Sequence, residues 1–289
     1  MREISTSLSG TTPYIKKDIY KVIKYCSIEN ISVEASNFEI SGINSDTVFY
    51  HLEKLTMKDV IDFLEKSIDY QFRKFRGKKV ILAIDFHDRE YYGDRNDVWV
   101  VGEKYKNETN YFHSYVFLNK EDVVKELIER VMKYVEIELV MLDRGFFSGY
   151  VIRELCGLKV DFLMPVVNNR KIKKLDRSVY GYEMNGAKFN LIVKGKVKWA
   201  TSLYLLPDKL TMIYKRRWRI ETGYRKKKDF KIKTRTRNPV IRFLFFVIEI
   251  LMYNYWMLVR NLPTKIRECC GIIKHLTTRL FKKKFLGVP

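Results

Sequence analysis

KVILAID at residues 79–85 and IELVMLD at residues 137–143 are the two stretches that decide the fold. Each is a continuous aliphatic run that ends in an aspartate, and such runs favour strands buried on both faces of a sheet. Parallel neighbouring strands would bring Asp85 and Asp143 out at one carboxyl edge, where open α/β sheets place their ligands. The sequence therefore predicts an α/β sheet with two carboxylates at one edge.

A third stretch, IYKRRWRIETGYRKKK at residues 213–228, predicts one continuous helix because it lacks proline and is dominated by long side chains. At 100° per residue, one narrow stripe of this helix holds Tyr214, Arg217, Glu221 and Lys228. Glu221 is the only acid on that stripe. A single carboxylate in so basic a helix is either an ion-pair partner of its neighbours or a metal ligand.

Three carboxylates, those of Asp85, Asp143 and Glu221, would meet if this helix reaches the edge of the sheet. Hard oxygen donors without cysteine or histidine partners favour Mg²⁺ or Mn²⁺ over zinc. Two such ions about 4 Å apart can activate a nucleophile and stabilise a leaving oxygen in phosphodiester cleavage. The pattern therefore predicts a two-ion site that cleaves a nucleic-acid backbone.

These residues carry a resemblance to a known family. The chain resembles the DDE transposases of bacterial and archaeal insertion sequences, in the branch with a Tyr-(2)-Arg-(3)-Glu-(6)-Lys signature, and all four signature positions match. The resemblance covers roughly residues 78–260. Further similar stretches are AIDFHDREYYGD at 83–94, MLDRGFFS at 141–148 and RNPVIRFLFFVIEILMYNYW at 237–256.

The resemblance implies a fold, a reaction and a set of site residues. The fold would be ribonuclease-H-like, a mixed sheet flanked by helices with a small β insertion. The enzyme would hydrolyse a phosphodiester at the terminal repeats of the element and transfer the freed 3′-hydroxyl into target DNA, as a homodimer on paired ends. Asp85, Asp143 and Glu221 would be catalytic and hold two Mg²⁺ or Mn²⁺ ions. The signature residues that would contact DNA phosphates are Tyr214, Arg217 and Lys228.

Positive charge is concentrated in the last quarter of the chain. The formal net charge is +21, and residues 213–289 carry 21 basic and 4 acidic side chains, whereas residues 1–75 carry 10 and 11. Such a concentration favours DNA, because neutralising phosphates releases counterions; an acidic membrane surface is the rival partner. KTRTRN at 233–238 alternates cations with threonines, as an extended segment along a DNA backbone would. The further cations expected on DNA are Arg225, Lys233, Arg235 and Arg237.

Cysteine and hydropathy patterns argue against a secreted or membrane-spanning protein. The four cysteines show neither a framework spacing nor a CxxC pair, so a cytoplasmic protein is expected, and the N-terminus lacks an apolar signal core. FLFFVIEILMYNYWMLV at 243–259 approaches membrane-spanning length, but Glu249 and Asn254 interrupt it. A buried helix without a membrane is expected there.

Three domains are expected: a helical domain at 1–76, a catalytic domain at 77–260 and a basic tail at 261–289. The first has helix-turn-helix punctuation, with Gly42 at a turn and Asn44 or Ser45 as the N-cap of a recognition helix. A structural or dimerising cap is the alternative. Residues that such a recognition helix would offer to a DNA groove are Ser45, Asp46, Thr47, Tyr50 and His51.

Two segments of the catalytic domain concern the number of its strands. The β insertion is expected at about 168–205, with a basic loop and then a hairpin turned at Gly195. FHSYVFL at 112–118 is expected to be a strand that runs directly into a helix at about 120–135, which leaves no room for a strand that the family usually has there. Either VWVVG at 98–102 substitutes for that strand, or the strand is lost.

Two other functions remain open. One is a catalytically inactive, element-derived DNA-binding protein, which loss of a strand would favour and the intact carboxylates oppose. The other is a structure-specific nuclease of the same ribonuclease-H-like fold, which would cut DNA without strand transfer.

Overall fold

The computed structural model describes residues 13–36, 42–85, 89–91, 95–96, 100–106, 109–113 and 120–260. Its α-helices are α1 (Pro13–Glu29), α2 (Ser45–Leu52), α3 (Met57–Phe72), α4 (Lys120–Met132), α5 (Gly149–Gly157), α6 (Arg170–Lys173), α7 (Pro207–Lys215), α8 (Trp218–Lys227) and α9 (Pro239–Arg260). Its strands are β1 (Lys79–Ile84), β2 (Arg89–Glu90), β3 (Val100–Lys106), β4 (Thr109–His113), β5 (Glu136–Leu142), β6 (Phe162–Pro165), β7 (Val179–Met184), β8 (Ala187–Lys194) and β9 (Val197–Thr201). Short 3-10 helices lie at Glu34–Ser36, Arg73–Phe75, Arg144–Phe146 and Lys228–Phe230.

The chain divides into two compact units, one formed by Gln71–Thr222 and the other by Met1–Tyr70 together with Gly223–Pro289. We call the first the sheet unit and the second the helical unit. This division differs from the expected domains at 1–76, 77–260 and 261–289, which remain predictions.

Six strands form the main sheet of the sheet unit, in the order β1-β5-β6-β9-β8-β7. β1, β5 and β6 are parallel, and β9, β8 and β7 continue the sheet with antiparallel pairing. The prediction that the two aliphatic runs are parallel neighbours is confirmed, because Ile84 lies opposite Leu142 in the register of β1 and β5.

Helices cover both faces of this sheet. On one face α4 and α5 pack on a core that includes Ile128, Leu142, Ile152 and Phe162. On the other face α7 contributes Leu210 to a smaller core with β5, β6, β8 and β9. The protein therefore has the expected ribonuclease-H-like α/β fold, a mixed sheet flanked by helices.

The β insertion is part of the same sheet. β8 and β9 form the expected hairpin around Gly195, which has a φ of 57°. β7 follows the expected basic loop, in a stretch without a predicted element, and it turns into β8 through Asn185 and Gly186, whose φ angles are 52° and 76°. Asn-Gly with two positive φ angles is the preferred two-residue hairpin turn. The basic loop also contains the single turn of α6.

A separate three-stranded sheet follows β1, in the order β2-β4-β3. Residues 100–102 of the VWVVG stretch lie in β3, which pairs with β4. Within the described residues, the suggestion that this stretch substitutes in the main sheet is therefore wrong. The expected strand at 112–118 is described only at its start, the end of β4, and the question of a lost strand concerns residues 114–119, outside the described residues.

The helical unit contains the expected turn and cap before α2. Gly42 has a φ of 68°, and Asn44 is the N-cap, with its side chain accepting a hydrogen bond from the Asp46 amide at 3.3 Å. Tyr50 is 60% exposed, but His51 is only 6% exposed and packs in the interior. The prediction that His51 faces a DNA groove is therefore wrong, because His51 lies on the buried face of α2.

α9 is long and apolar enough to cross a membrane by length and composition, and half of its most apolar window is buried within the protein. The acid within this helix, Glu249, is 1% exposed and lies 3.8 Å from the ammonium of Lys227, which is also buried. α9 also packs against α1 and the 3-10 helix at Lys228–Phe230. The helix therefore contributes much of the core of the helical unit.

Candidate active site at the carboxyl edge of the sheet

The two aspartates lie at the ends of neighbouring parallel strands. Asp85 follows β1 directly and Asp143 follows β5, one residue beyond the register partners Ile84 and Leu142. Neighbouring strands are about 4.8 Å apart, so the two carboxylates share one edge of the sheet. Asp143 also caps the following 3-10 helix by accepting a hydrogen bond from the Gly145 amide.

A chain of hydrogen bonds ties this edge to the turn between α7 and α8. Arg217 donates from Nη1 to Asp85 Oδ2 at 3.1 Å and from Nε to the Tyr214 hydroxyl at 2.9 Å. The Tyr214 hydroxyl donates in turn to the main-chain oxygen of Leu142 at 3.1 Å. The ends of β1 and β5 are thus connected through two residues of the signature.

Burial strengthens these interactions. The side chains of Arg217 and Asp85 are 13% and 17% exposed. Burial lowers the pKa of Arg217, but the Tyr214 oxygen and the Asp85 and Asp143 carboxylates outweigh it, and the pKa is raised overall. Burial raises the pKa of Tyr214 despite the nearby guanidinium. A charged guanidinium and a neutral phenol therefore face the two aspartates, and Arg217 offsets part of their negative charge.

The signature stretch does not form one helix. α7 ends at Lys215 and α8 begins at Trp218. Between them the Arg216 and Arg217 amides donate to the carbonyls of Ile213 and Tyr214 at 3.0 Å and 2.9 Å, which makes tight turns instead of α-helical bonds. The prediction of one helix with a continuous stripe of signature residues is therefore wrong. The helix is interrupted at the point where Tyr214 and Arg217 contact the sheet.

Glu221 lies in α8, four residues after Arg217. Four helical residues advance about 6 Å along the axis and return to nearly the same face, so the backbone places Glu221 one turn from the residue that contacts Asp85. Its side chain is outside what the structure describes. Among the described side chains, no group of three or more histidines, cysteines, aspartates and glutamates could hold a metal ion.

Comparison with known proteins identifies the family. A family model for the transposase DDE domain matches residues 72–255, which is more than half of the chain. The chain belongs to the DDE transposase family. A cryo-EM structure of a piggyBac transposase synaptic complex with hairpin DNA has a similar fold, with a TM-score of 0.61 and 13% sequence identity over 96% of this chain and 74% of that chain. None of the curated proteins matches the sequence.

The remaining DNA-contact candidates of this DDE transposase lie in the helical unit. Arg225 is exposed on α8, and Lys228 is exposed at the start of a 3-10 helix. Beyond them residues 234–238 form neither a helix nor a strand, and the side chains of Thr234 and Thr236 accept hydrogen bonds from backbone amides two residues further along. The exposed cations that alternate with these half-buried threonines are Lys233, Arg235 and Arg237.

The sequence did not predict two of the contacts that hold Tyr214 at the site. The ring of Trp199 in β9 packs on the ring of Tyr214 with centroids 4.7 Å apart, which fixes the tyrosine from the sheet side. The acceptor of the tyrosine hydroxyl is a main-chain oxygen, which no sequence pattern can reveal. Trp218 is 66% exposed at the start of α8.

Proposed function

We propose that this DDE transposase is a metal-dependent DNA transposase, which hydrolyses a phosphodiester at the terminal repeats of an insertion sequence and transfers the resulting 3′-hydroxyl into target DNA. The observation that carries the proposal is the pairing of Asp85 and Asp143 at adjacent strand ends, with Arg217 of the Glu221-bearing segment bonded to Asp85. The family match supports the same reaction.

Asp85, Asp143 and Glu221 would hold the divalent cations, two Mg²⁺ or Mn²⁺ ions. Carboxylate oxygens are the ligands that such hard cations prefer, and two of the three carboxylates already share the edge of the sheet. The bound ions would supply charge neutralisation at the phosphodiester and a more acidic attacking water.

The residues of the chain itself would bind and orient the DNA. Arg217 has the geometry to grip a phosphate with a planar guanidinium, and Tyr214 would hold that guanidinium in place. Exposed cations of the helical unit would neutralise phosphates further along, and the fold likeness to a transposase–DNA synaptic complex agrees with this role. These residues are Arg225, Lys228, Lys233, Arg235 and Arg237.

We also place the protein in the cytoplasm, without a membrane partner, as a homodimer on paired DNA ends. The described cysteines Cys26 and Cys156 are free thiols, which agrees with a reducing compartment. The burial of half the apolar window of α9 agrees with a role in packing.

The test is cleavage of DNA that carries the inverted repeats flanking the gene, with and without Mg²⁺. We expect Glu221→Gln to abolish cutting while binding remains, and Glu183→Gln, an exposed acid on β7, to cut like the wild type. Cleavage by the Glu221 variant would overturn the assignment. Binding without cutting by the wild type would indicate the inactive DNA-binding protein, and cutting without strand transfer would indicate the structure-specific nuclease.

Replacing Lys233, Arg235 and Arg237 together with glutamine separates binding from chemistry. We expect weaker DNA binding and a shallower salt dependence, by about one unit of slope per lost phosphate contact. Lys58 and Lys66 are exposed on α3 of the same unit, and their replacement with glutamine is the control for loss of surface charge alone.

A further inference from the structure

The signature lysine, Lys228, begins a short stretch of the helical unit that is anchored by its backbone. We call residues 228–233 the lysine segment. Its 3-10 helix spans Lys228–Phe230, and its last residue is the first of KTRTRN. Lys228 and Lys233 are exposed at its two ends, whereas Phe230 and Ile232 are 6% and 2% exposed. The segment thus presents cations to the solvent from a backbone that two apolar side chains hold in the core.

Helix α1 ends beside this segment in a left-handed residue. Asn30 follows α1 with a φ of 57°, and the Ile31 amide donates to the Cys26 carbonyl at 3.0 Å. This six-to-one bond around a left-handed residue is the Schellman motif, which glycine forms most often and asparagine sometimes. The motif needs only the left-handed backbone, which glycine provides without strain. The asparagine side chain can therefore serve a second purpose.

Two side chains at the end of α1 donate hydrogen bonds to carbonyls of the lysine segment. Asn30 Nδ2 donates to the Lys228 carbonyl at 2.9 Å. The Ser27 hydroxyl donates to the Phe230 carbonyl at 2.7 Å, and Ser27 is completely buried. Both bonds act on the backbone of the 3-10 helix, so they fix its course and leave the Lys228 side chain exposed.

The rest of the segment is held on both sides. The Lys233 amide donates to the Ile31 carbonyl at 3.1 Å, and Ser32 and Lys233 form a parallel bridge. The ring of Phe230 packs near that of Trp256 on α9, with centroids 6.2 Å apart. The lysine segment is therefore tied to α1 and to the chain just after it at both of its ends, and to α9 in between.

Order in the backbone bears directly on how well a lysine binds a phosphate. The lysine ammonium is a point charge on a flexible four-carbon stem, and any group that must be ordered on binding lowers the affinity. A loose 3-10 helix would add the ordering of its backbone to that of the side chain. The bonds from Asn30 and Ser27 order this backbone before DNA binds.

We propose that Asn30 and Ser27 are positioning residues for Lys228, so that the end of α1 holds the lysine segment with its ammonium placed for a DNA phosphate. The inference rests on the proposed function for the role of Lys228. Ser27 is buried and cannot touch DNA, and Asn30 acts through the Lys228 carbonyl. The N-terminal helix α1 thus contributes to DNA binding through a signature residue 198 positions away in the sequence.

The test is a double-mutant cycle between Asn30 and Lys228, measured as binding to a DNA duplex that carries one inverted repeat, in EDTA and at several salt concentrations. Asn30→Gly keeps the left-handed backbone and removes only the side-chain donor. We expect it to weaken binding roughly two- to tenfold and to make the salt dependence shallower, as Lys228→Ala also should. In the Lys228→Ala background, Asn30→Gly should change neither quantity.

The matched control is Asn185→Gly, because Asn185 also has a left-handed φ, of 52°, in a turn of the sheet unit. This variant should bind DNA like the wild type. Ser27→Ala should resemble Asn30→Gly, and its effect on DNA binding should also depend on the Lys228 side chain.

Hydrogen–deuterium exchange with mass spectrometry tests the anchoring in the protein without DNA. The Lys231 amide bonds to the Lys228 carbonyl and the Lys233 amide to the Ile31 carbonyl. Both amides should exchange faster in Asn30→Gly, because local opening of the segment becomes easier, while the melting temperature stays close to that of the wild type.

Equal losses of affinity from Asn30→Gly with and without the Lys228 side chain would overturn the proposal, because Asn30 would then act on the DNA directly or on the fold in general. Wild-type binding and wild-type exchange in Asn30→Gly would overturn it as well. Cleavage by the wild type without this coupling would remove the positioning role alone. Coupling in a protein that binds but never cleaves DNA would keep the positioning role and remove the proposed function, and a wild type that binds no DNA would overturn both.

Discussion

Replacing Arg217 with glutamine should make the protein bind a divalent cation more tightly in the absence of DNA. The Arg217 guanidinium occupies Asp85 Oδ2 at 3.1 Å, and both side chains are largely shielded from solvent. A charge-assisted hydrogen bond contributes about 1.5–3 kcal/mol, and a cation that takes the same oxygen must break it. The glutamine amide ends where the arginine Nε lies, two atoms short of Nη1, so the bond to Asp85 is lost; even the lower figure corresponds to about a tenfold lower Kd.

The assay is titration with Mn²⁺ followed by electron paramagnetic resonance, which detects the free ion. Arg216→Gln is the control, because Arg216 is the neighbouring arginine and is exposed. It should bind Mn²⁺ like the wild type. Added DNA should tighten Mn²⁺ binding in the wild type, since a phosphate competes for the guanidinium, and should have little effect in Arg217→Gln. An unchanged or weaker Mn²⁺ affinity of Arg217→Gln would refute the competition between Arg217 and the cation.

Three further predictions concern stability. Gly149→Ala should lower the melting temperature, because a Cβ there would lie 2.6 Å from the Met184 carbonyl, whereas Gly157→Ala on the same helix meets nothing within 4 Å and should be tolerated; thermal unfolding compares them. Lys227→Met should cost about 3–5 kcal/mol by leaving Glu249 as a buried charge, and adding Glu249→Leu should recover much of that loss in urea unfolding. Burial raises the pKa of the Cys26 thiol from 9.0 to about 11, so the unfolded chain loses this proton first. The free energy of unfolding should therefore fall as the pH rises between those two values, by about 1.4 kcal/mol per pH unit. The fall should be less steep in Cys26→Ala.

The sequence predicted the parts of the fold that depend on residue type along a short stretch. Continuous aliphatic runs predicted that β1 and β5 are parallel neighbours, and the structure pairs Ile84 with Leu142. The predicted burial of β1 on both faces is wrong, because β1 lies at the edge of the six-stranded sheet and Ile84 is its only buried residue. The cap of α2 was predicted as Asn44 or Ser45, because such side chains bond to the neighbouring backbone, and the structure shows Asn44. β7 could have been predicted as well, because Asn185-Gly186 is a strong hairpin signal in a stretch for which no element was predicted.

Features that depend on tertiary contacts could not be predicted in this way. The signature stretch has the composition of one helix, yet it breaks at Arg216 and Arg217. Near the break Arg217 donates to Asp85 and the Tyr214 hydroxyl donates to the Leu142 carbonyl of β5. His51 has the position of a groove-facing residue in the sequence, but packing of α2 buries it. The rings of Tyr180 and Tyr204 stack with centroids 5.8 Å apart, and nothing local to either tyrosine indicates the other.

The most direct test of the account is to ask where a bound metal ion lies in the chain. Fe²⁺ in place of Mg²⁺, with ascorbate and peroxide, generates hydroxyl radicals that cut the polypeptide beside the metal, and mass spectrometry locates the cuts. We predict cuts next to Asp85, Asp143 and Glu221 that excess Mg²⁺ suppresses and Asp85→Asn removes. Cuts confined to other segments, or cuts near the two aspartates without one near Glu221, would contradict a metal site built from these three carboxylates.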